Sequence, residues 1–220
     1  MPIKDYIHDF INPDLPALDA ITAEQNMRDD TCPNIGLEVG RLLGLLVRLT
    51  GAQHVLEFGT CLGYSAVWLA DALRETGGYL TSVELDHGLV VSARAYLQRA
   101  GLAEQAEVIE GDAAQVARTL DGPYDLILQD SAKFLYPEML EDCIRLLRPG
   151  GVLAMDDALF KPMGIPEKFS APVHRANELA FADPRLYCTL LPIGDGLLLC
   201  VKQSATTGNS RKRDLMRTTT

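Results

Sequence analysis

The sequence contains no apolar run near the roughly 18–20 residues that a membrane span requires. Its charged amino terminus, MPIKDYIHDF, lacks the apolar stretch of a signal peptide, so a cytoplasmic protein without a membrane partner is expected. Cysteine and histidine chemistry is thinly provided. Five cysteines (32, 61, 143, 188 and 200) include no CxxC pair, and four scattered histidines show no HExxH spacing. Reduced thiols are therefore expected, and the motifs argue against zinc sites built on Cys or His. Basic surface is scarce as well. Net charge is −10, but from residue 204 onward Arg211, Lys212, Arg213 and Arg217 face only Asp214, which leaves −13 on the body. An acidic body argues against a broad nucleic-acid footprint, which needs cations against phosphates. The polar, aperiodic segment 204–220 is expected to be a disordered basic tail.

At 220 residues the chain suits a single domain with one sizeable core. Residues 2–27 read as two short helices broken at Asn12-Pro13, and 36–49 has apolar residues at helical spacing. Short β-like runs then follow at 54–58, 79–85, 106–111, 124–130, 151–156, 186–193 and 196–202, with helical segments near 64–76, 87–101, 113–120 and 135–148. Such alternation predicts βαβ units: an α/β fold with a mostly parallel sheet and helices on both faces. Only the turn Gly194-Asp195-Gly196 separates the last two strands, so they pair antiparallel. Residues 158–168, ALFKPMGIPEK, read as a long loop at the strand tips, a candidate lid.

In open α/β sheets, ligands bind beyond the carboxyl ends of the strands. The first strand ends in VLEFGTCLGYS, with Glu57 between apolar residues and glycines at 59 and 63 that admit close backbone approach. The spacing GTCLG is not GxGxxG, and no GK[ST] follows, so a phosphate cradle is poorly supported. Glu84, at the tip of the second strand, is placed to accept hydrogen bonds from a ribose diol. Glu57 favours a positive group over a phosphate. S-adenosylmethionine, with a ribose, a positive centre and no phosphate, fits these features.

The segments VLEFGTCLGYSAVWLADAL, TSVELD, VIEGDAAQV, YDLILQDSAKFLY, LLRPGGVLAMDD and LLPIGDGLLL, in this order, resemble class I methyltransferases. The closer likeness is to the catechol and caffeoyl-CoA O-methyltransferase group. The resemblance implies a Rossmann-like, doubly wound seven-stranded sheet over 31–203, S-adenosylmethionine as methyl donor, a divalent metal such as Mg²⁺, and a homodimer. Residues 1–30 would then be helices that cover the substrate or form the dimer contact. Carried over by position, Glu57, Gly59, Gly63, Tyr64 and Ser65 lie along the methionine part of the cofactor. Glu84 matches the ribose-binding acid, and Asp112 and Ala113 edge the adenine. Asp130 closes the fourth strand beside the cofactor, and with Asp156 and Asp157 it matches the metal ligands, although the family usually has Asn where Asp157 stands. Oxygen ligands of this kind suit a hard divalent ion.

Asp130, Lys133 and Tyr136 form a D-x-x-K-x-x-Y spacing in which the lysine of the resembling family acts on the acceptor hydroxyl. A hydroxyl is a poor nucleophile until its proton is removed, and a metal ion and a nearby base both help. Next to a divalent ion the lysine's own pKa is expected to fall. Cys61 and Trp68 are read as packing residues and His54 as a turn residue. The implied acceptor is a small phenol or catechol. The QDSAKFLY segment also resembles bacterial tRNA 5-hydroxyuridine O-methyltransferases, which makes tRNA an alternative acceptor. A non-catalytic cofactor-binding module is the third reading.

Overall fold

The structure, a computed structural model, describes residues 2–11 and 13–204. The expected basic tail therefore lies, apart from Ser204, outside the described residues. Three helices come first: α1 (Ile3–His8), α2 (Pro16–Gln25) and α3 (Gly36–Thr50). Strands and helices then alternate as β1 (His54–Phe58), α4 (Tyr64–Thr76), β2 (Tyr79–Glu84), α5 (His87–Arg99), β3 (Ala106–Glu110), α6 (Ala113–Thr119) and β4 (Tyr124–Gln129). A 3₁₀ turn at Lys133–Leu135 leads into α7 (Tyr136–Leu146) and β5 (Leu147–Met155). The chain then forms α8 (Glu167–Ala182), β6 (Leu186–Leu191) and β7 (Leu197–Lys202).

The seven strands form one sheet in the order β3-β2-β1-β4-β5-β7-β6. All pairings from β3 to β5 are parallel, and β7 runs antiparallel to both β5 and β6. Strand order reverses between β1 and β4, so the tips of those two strands diverge into a crevice. Period-two alternation divides the apolar side chains between the faces. Val55, Leu126, Leu128, Val152 and Ala154 meet α2 to α5 on one side. Leu56, Phe58, Ile127, Leu153 and Met155 meet α6 to α8 on the other. Glu57 shares the parity of Val55, so its carboxylate enters the α4 face.

Helix ends follow local chemistry. Asp86 accepts from the Leu89 N–H at 3.0 Å to cap α5, and Asp112 accepts from the Gln115 N–H at 2.9 Å to cap α6. Gly51 and Gly77 close α3 and α4 in the left-handed conformation.

The structure departs from the sequence reading in three places. First, α8 had no counterpart there. Phe169, Val173, Ala176 and Ala180 have helical spacing, but Pro172 lies inside the run and disguises it. Second, residues 158–165 are consecutive hydrogen-bonded turns rather than an open loop, with Phe160 N–H on Asp157 O (3.0 Å), Met163 N–H on Leu159 O (3.1 Å) and Ile165 N–H on Phe160 O (3.1 Å). Third, the expectation of reduced thiols fails for two cysteines. Cys188 and Cys200 are directly opposed on β6 and β7 and form a disulfide. Cys32, Cys61 and Cys143 remain free. No helix among the described residues is long and apolar enough to cross a membrane.

Candidate functional site

The crevice at the switch point is built from strand tips. Gly59 follows β1 at φ +96°, and a Cβ there would lie 2.3 Å from the Asp130 carbonyl oxygen. Only glycine lets the ends of β1 and β4 approach this closely. The Gly59 N–H bonds to Val83 O and the Asp130 N–H to Phe58 O, both at 2.9 Å, so three strand tips are tied together.

The loop between β1 and α4 turns through two left-handed residues, Cys61 (φ 49°) and Gly63 (φ 90°). Glu84 holds this loop: its Oε2 accepts from the Cys61 N–H at 2.8 Å, and its Oε1 accepts from the Asp86 N–H at 3.0 Å. Each oxygen keeps a second lone pair for an outside donor. Glu57 lies beneath the loop with no exposed surface. Its Oε2 accepts from the Ser82 hydroxyl, which itself lies 2.5 Å from Thr60 Oγ1, while Oε1 is buried without a partner. Burial lifts the Glu57 carboxyl to about 7 against the pull of the Ser65 and Ser82 hydroxyls, and Asp130 and Glu84 add to the rise.

Asp130, Asp156 and Asp157 converge at the tips of β4 and β5, each offering a carboxylate oxygen within 4.8 Å of the others. Lys133 bridges two of them. Its Nζ lies 2.8 Å from Asp130 Oδ1, 2.5 Å from Asp157 Oδ2 and 3.0 Å from the Tyr136 hydroxyl. Burial opposes the ammonium charge, yet Asp130, Tyr136 and Asp157 together push the Lys133 pKa upward. The sequence reading had this pKa lowered by a neighbouring ion, but among the protein groups alone the carboxylates decide it. Asp156 is raised well above the usual carboxylate range by burial and then by Asp130 and Asp157, and its Oδ1 is buried without a partner. Asp157 rises to about 6, mainly through burial. Three acids face one ammonium, a constellation short of positive charge.

Asp157 adopts φ 61°. This left-handed region admits Asp and Asn more readily than other non-glycine residues, so the aspartate meets the same backbone demand as the usual asparagine.

The other singled-out residues are dispersed. The Tyr64 side chain packs in the core cluster with Trp68 and is not brought to the acid group. Ser65 is buried in the first turn of α4, near Glu57. Asp112 caps α6 and the largely buried Ala113 begins it, just beyond the β3 tip. Cys61 and Trp68 have packing surroundings, and His54 begins β1, its N–H bonded to Asp125 at 2.8 Å. Sequence reasoning did not find Thr60 and Ser82, which support Glu57, or Asn177, which reaches the loop after Asp157. For Ser82 and Asn177 the signal was a polar residue where strand parity or helical spacing demanded an apolar one; Thr60, in the loop after β1, gave no such signal.

The O-methyltransferase family model matches residues 12–203. The chain belongs to this O-methyltransferase family. A Mycolicibacterium vanbaalenii protein that carries the O-methyltransferase name is 34% identical over 197 residues, covering 84% of each chain. The O-methyltransferase of Bacillus cereus, solved with S-adenosylhomocysteine, superposes with a TM-score of 0.80 at 27% identity, covering 90% of this chain and 96% of that one. TomG of Streptomyces achromogenes, an O-methyltransferase of tomaymycin synthesis solved with S-adenosylmethionine, gives 0.80 at 28% identity over 90% and 95%. The acid group, its lysine and the glycine loop are neighbours in this chain, because β1, β4 and β5 are adjacent strands.

Proposed function

We propose that this O-methyltransferase uses S-adenosylmethionine to methylate a hydroxyl of a small phenolic or catechol-like acceptor, with a divalent ion held by Asp130, Asp156 and Asp157. The observation that carries this reading is the unpartnered, buried Asp156 Oδ1 within a set of three converging carboxylates. A buried carboxylate oxygen without a donor is costly, and a hard cation satisfies it. The donor set therefore fits Mg²⁺ or a similar ion. Such an ion, when bound, supplies positive charge that acidifies and orients a hydroxyl.

The chain's own residues do the rest. Glu84 offers its remaining lone pairs to a ribose diol, and the glycines at 59 and 63 keep the loop backbone low enough for close approach. Glu57 holds the loop from below through Ser82 and Thr60. Lys133, aimed by Asp130 and Asp157, would receive the proton of the acceptor hydroxyl from its neutral form, which a cation among the three acids would favour by opposing their upward pull on its pKa. Tyr136 fixes the lysine from its far side. Holding the acceptor oxygen in line with the methyl group gives most of the remaining acceleration.

The deciding experiment supplies labelled S-adenosylmethionine to a catechol panel and to hypomodified tRNA, with Mg²⁺ or with chelator. Methylation of a phenolic hydroxyl that chelator abolishes is the expected result. Label on tRNA alone would reassign the acceptor, and full activity in verified metal-free protein would remove the ion.

Cofactor recognition has its own test. Glu84→Ala is expected to weaken S-adenosylhomocysteine binding by about 1.5–3 kcal/mol by calorimetry, the scale of charge-assisted hydrogen bonds. Because Glu84 also holds the Cys61 N–H, Glu84→Gln serves as a milder companion that keeps one acceptor oxygen. Unchanged affinity in both would sink the ribose assignment.

A further inference from the structure

Asp157 is followed by Ala158 and Leu159, whose N–H groups, together with the Ala158 carbonyl, are taken by distant parts of the chain. The Ala158 N–H bonds to Gly196 O at 2.8 Å, and the Leu159 N–H bonds to Asp195 O at 3.1 Å. From the opposite side, Asn177 Nδ2 on α8 donates to Ala158 O at 2.8 Å. Gly196 has φ +96°, and a Cβ there would lie 2.6 Å from the Leu159 nitrogen, so the β6–β7 turn lies directly on this segment.

We infer that Asn177 and the Gly194–Gly196 turn are positioning elements that fix Asp157 in its left-handed conformation as a ligand for the divalent ion. This inference rests on the metal reading above. Asn177 is 8% exposed on the apolar face of α8, and its Oδ1 has no partner. Packing alone does not explain a half-satisfied amide at this buried position; what it supplies is a donor to the buried Ala158 carbonyl. The amide makes one contact, and it falls on the residue next to Asp157. With Ala158 clamped from both sides, the backbone at 157 cannot relax toward the ordinary right-handed or extended regions. The Asp157 carboxylate stays aimed at Asp130 and Asp156.

The test uses the full chain and Mn²⁺ as the probe. Asn177→Leu removes the donor while keeping apolar volume. Asn177→Asp keeps the shape and turns an oxygen toward the Ala158 carbonyl. Mn²⁺ affinity, read from the free-ion paramagnetic resonance signal, is expected to fall about 10–100-fold in both, the range for residues that orient metal ligands. S-adenosylhomocysteine affinity is expected to stay within about twofold, while melting in chelator is expected to fall for Asn177→Leu, which leaves the buried Ala158 carbonyl without this donor. Should Asn177→Leu fail to fold, Asn177→Asp carries the same expectation. Variants that bind Mn²⁺ as tightly as the parent overturn the inference. A parent chain that binds no Mn²⁺ overturns the metal reading itself, which is a separate result.

Discussion

Lys133→Ala is expected to lower methyl transfer by roughly 10²–10⁴-fold, the range for loss of a positioned general base. Among the described residues near the three carboxylates, Lys133 is the group placed to take a proton once a cation among the acids offsets their upward pull on its pKa and leaves it neutral. The Tyr136 hydroxyl is fully buried and raised well above its ordinary pKa by burial, so it keeps its own proton. Asp130 and Asp157 are committed to the lysine and, in the proposed enzyme, to the ion. The alanine variant also removes a positive charge from among three acids, so a second substitution is needed to separate the roles. Lys133→Arg keeps the charge, but a guanidinium does not deprotonate in proteins. Both variants are expected to be slow, and both should recover as pH rises and the acceptor hydroxyl ionises unaided. If arginine restores most of the rate, the lysine serves as a fixed charge. If the alanine variant is active with an unchanged pH profile, it has no role in the chemical step.

The second large effect concerns stability. Folding raises the Glu57 carboxyl from an unfolded value near 4.3 to about 7, chiefly by burial. The folded chain therefore holds this proton more tightly than the unfolded chain does. The resulting stabilisation is complete below about pH 4 and is lost as pH rises through 7. A shift of this size is worth about 3 kcal/mol. Glu57→Gln has no such proton, so the stability difference between parent and variant should change by about that amount between pH 4.5 and 8. The variant should gain on the parent as pH rises. Denaturant unfolding of both proteins across this range measures the difference and cancels the titration of Asp156 and Asp157, which both chains share. Parallel profiles would mean that Glu57 ionises in the folded state without penalty.

These two residues also show what the sequence could and could not disclose. The ends of β1 and α4 were readable from HVLEF and from the glycines at 63 and 77, because strand and helix signals there agree with the tertiary structure. The acids at 130, 156 and 157 and the lysine at 133 were readable as strand-tip residues at a switch point. That Glu57 turns away from solvent was not, since it depends on which face of the sheet each odd-numbered β1 residue meets. The register of the last hairpin was only partly within reach. The connection over residues 192–196, centred on Gly194, places residues 188 and 200 opposite one another, whereas the recognised turn Gly194-Asp195-Gly196 is centred one residue later and would oppose 200 to 190. The clamp on Ala158 was out of reach, because it joins α8, a helix disguised by Pro172, to a turn on the far side of β7.

A parallel sheet also separates the two ends of its strands by consequence. The carboxyl ends of β1, β2, β4 and β5 lead into Glu84, the glycine loop, the three acids and Lys133, while the amino ends carry chain reversals such as the exposed Ala103-Glu104 corner between α5 and β3. A connection at the amino ends can double in length for about 0.6 kcal/mol of closure entropy without displacing an atom of the crevice. At the carboxyl ends even one added residue would shift a carboxylate or the glycine loop. Length variation among descendants of this chain is therefore confined by geometry to one rim of the sheet, and chemical variation to the other.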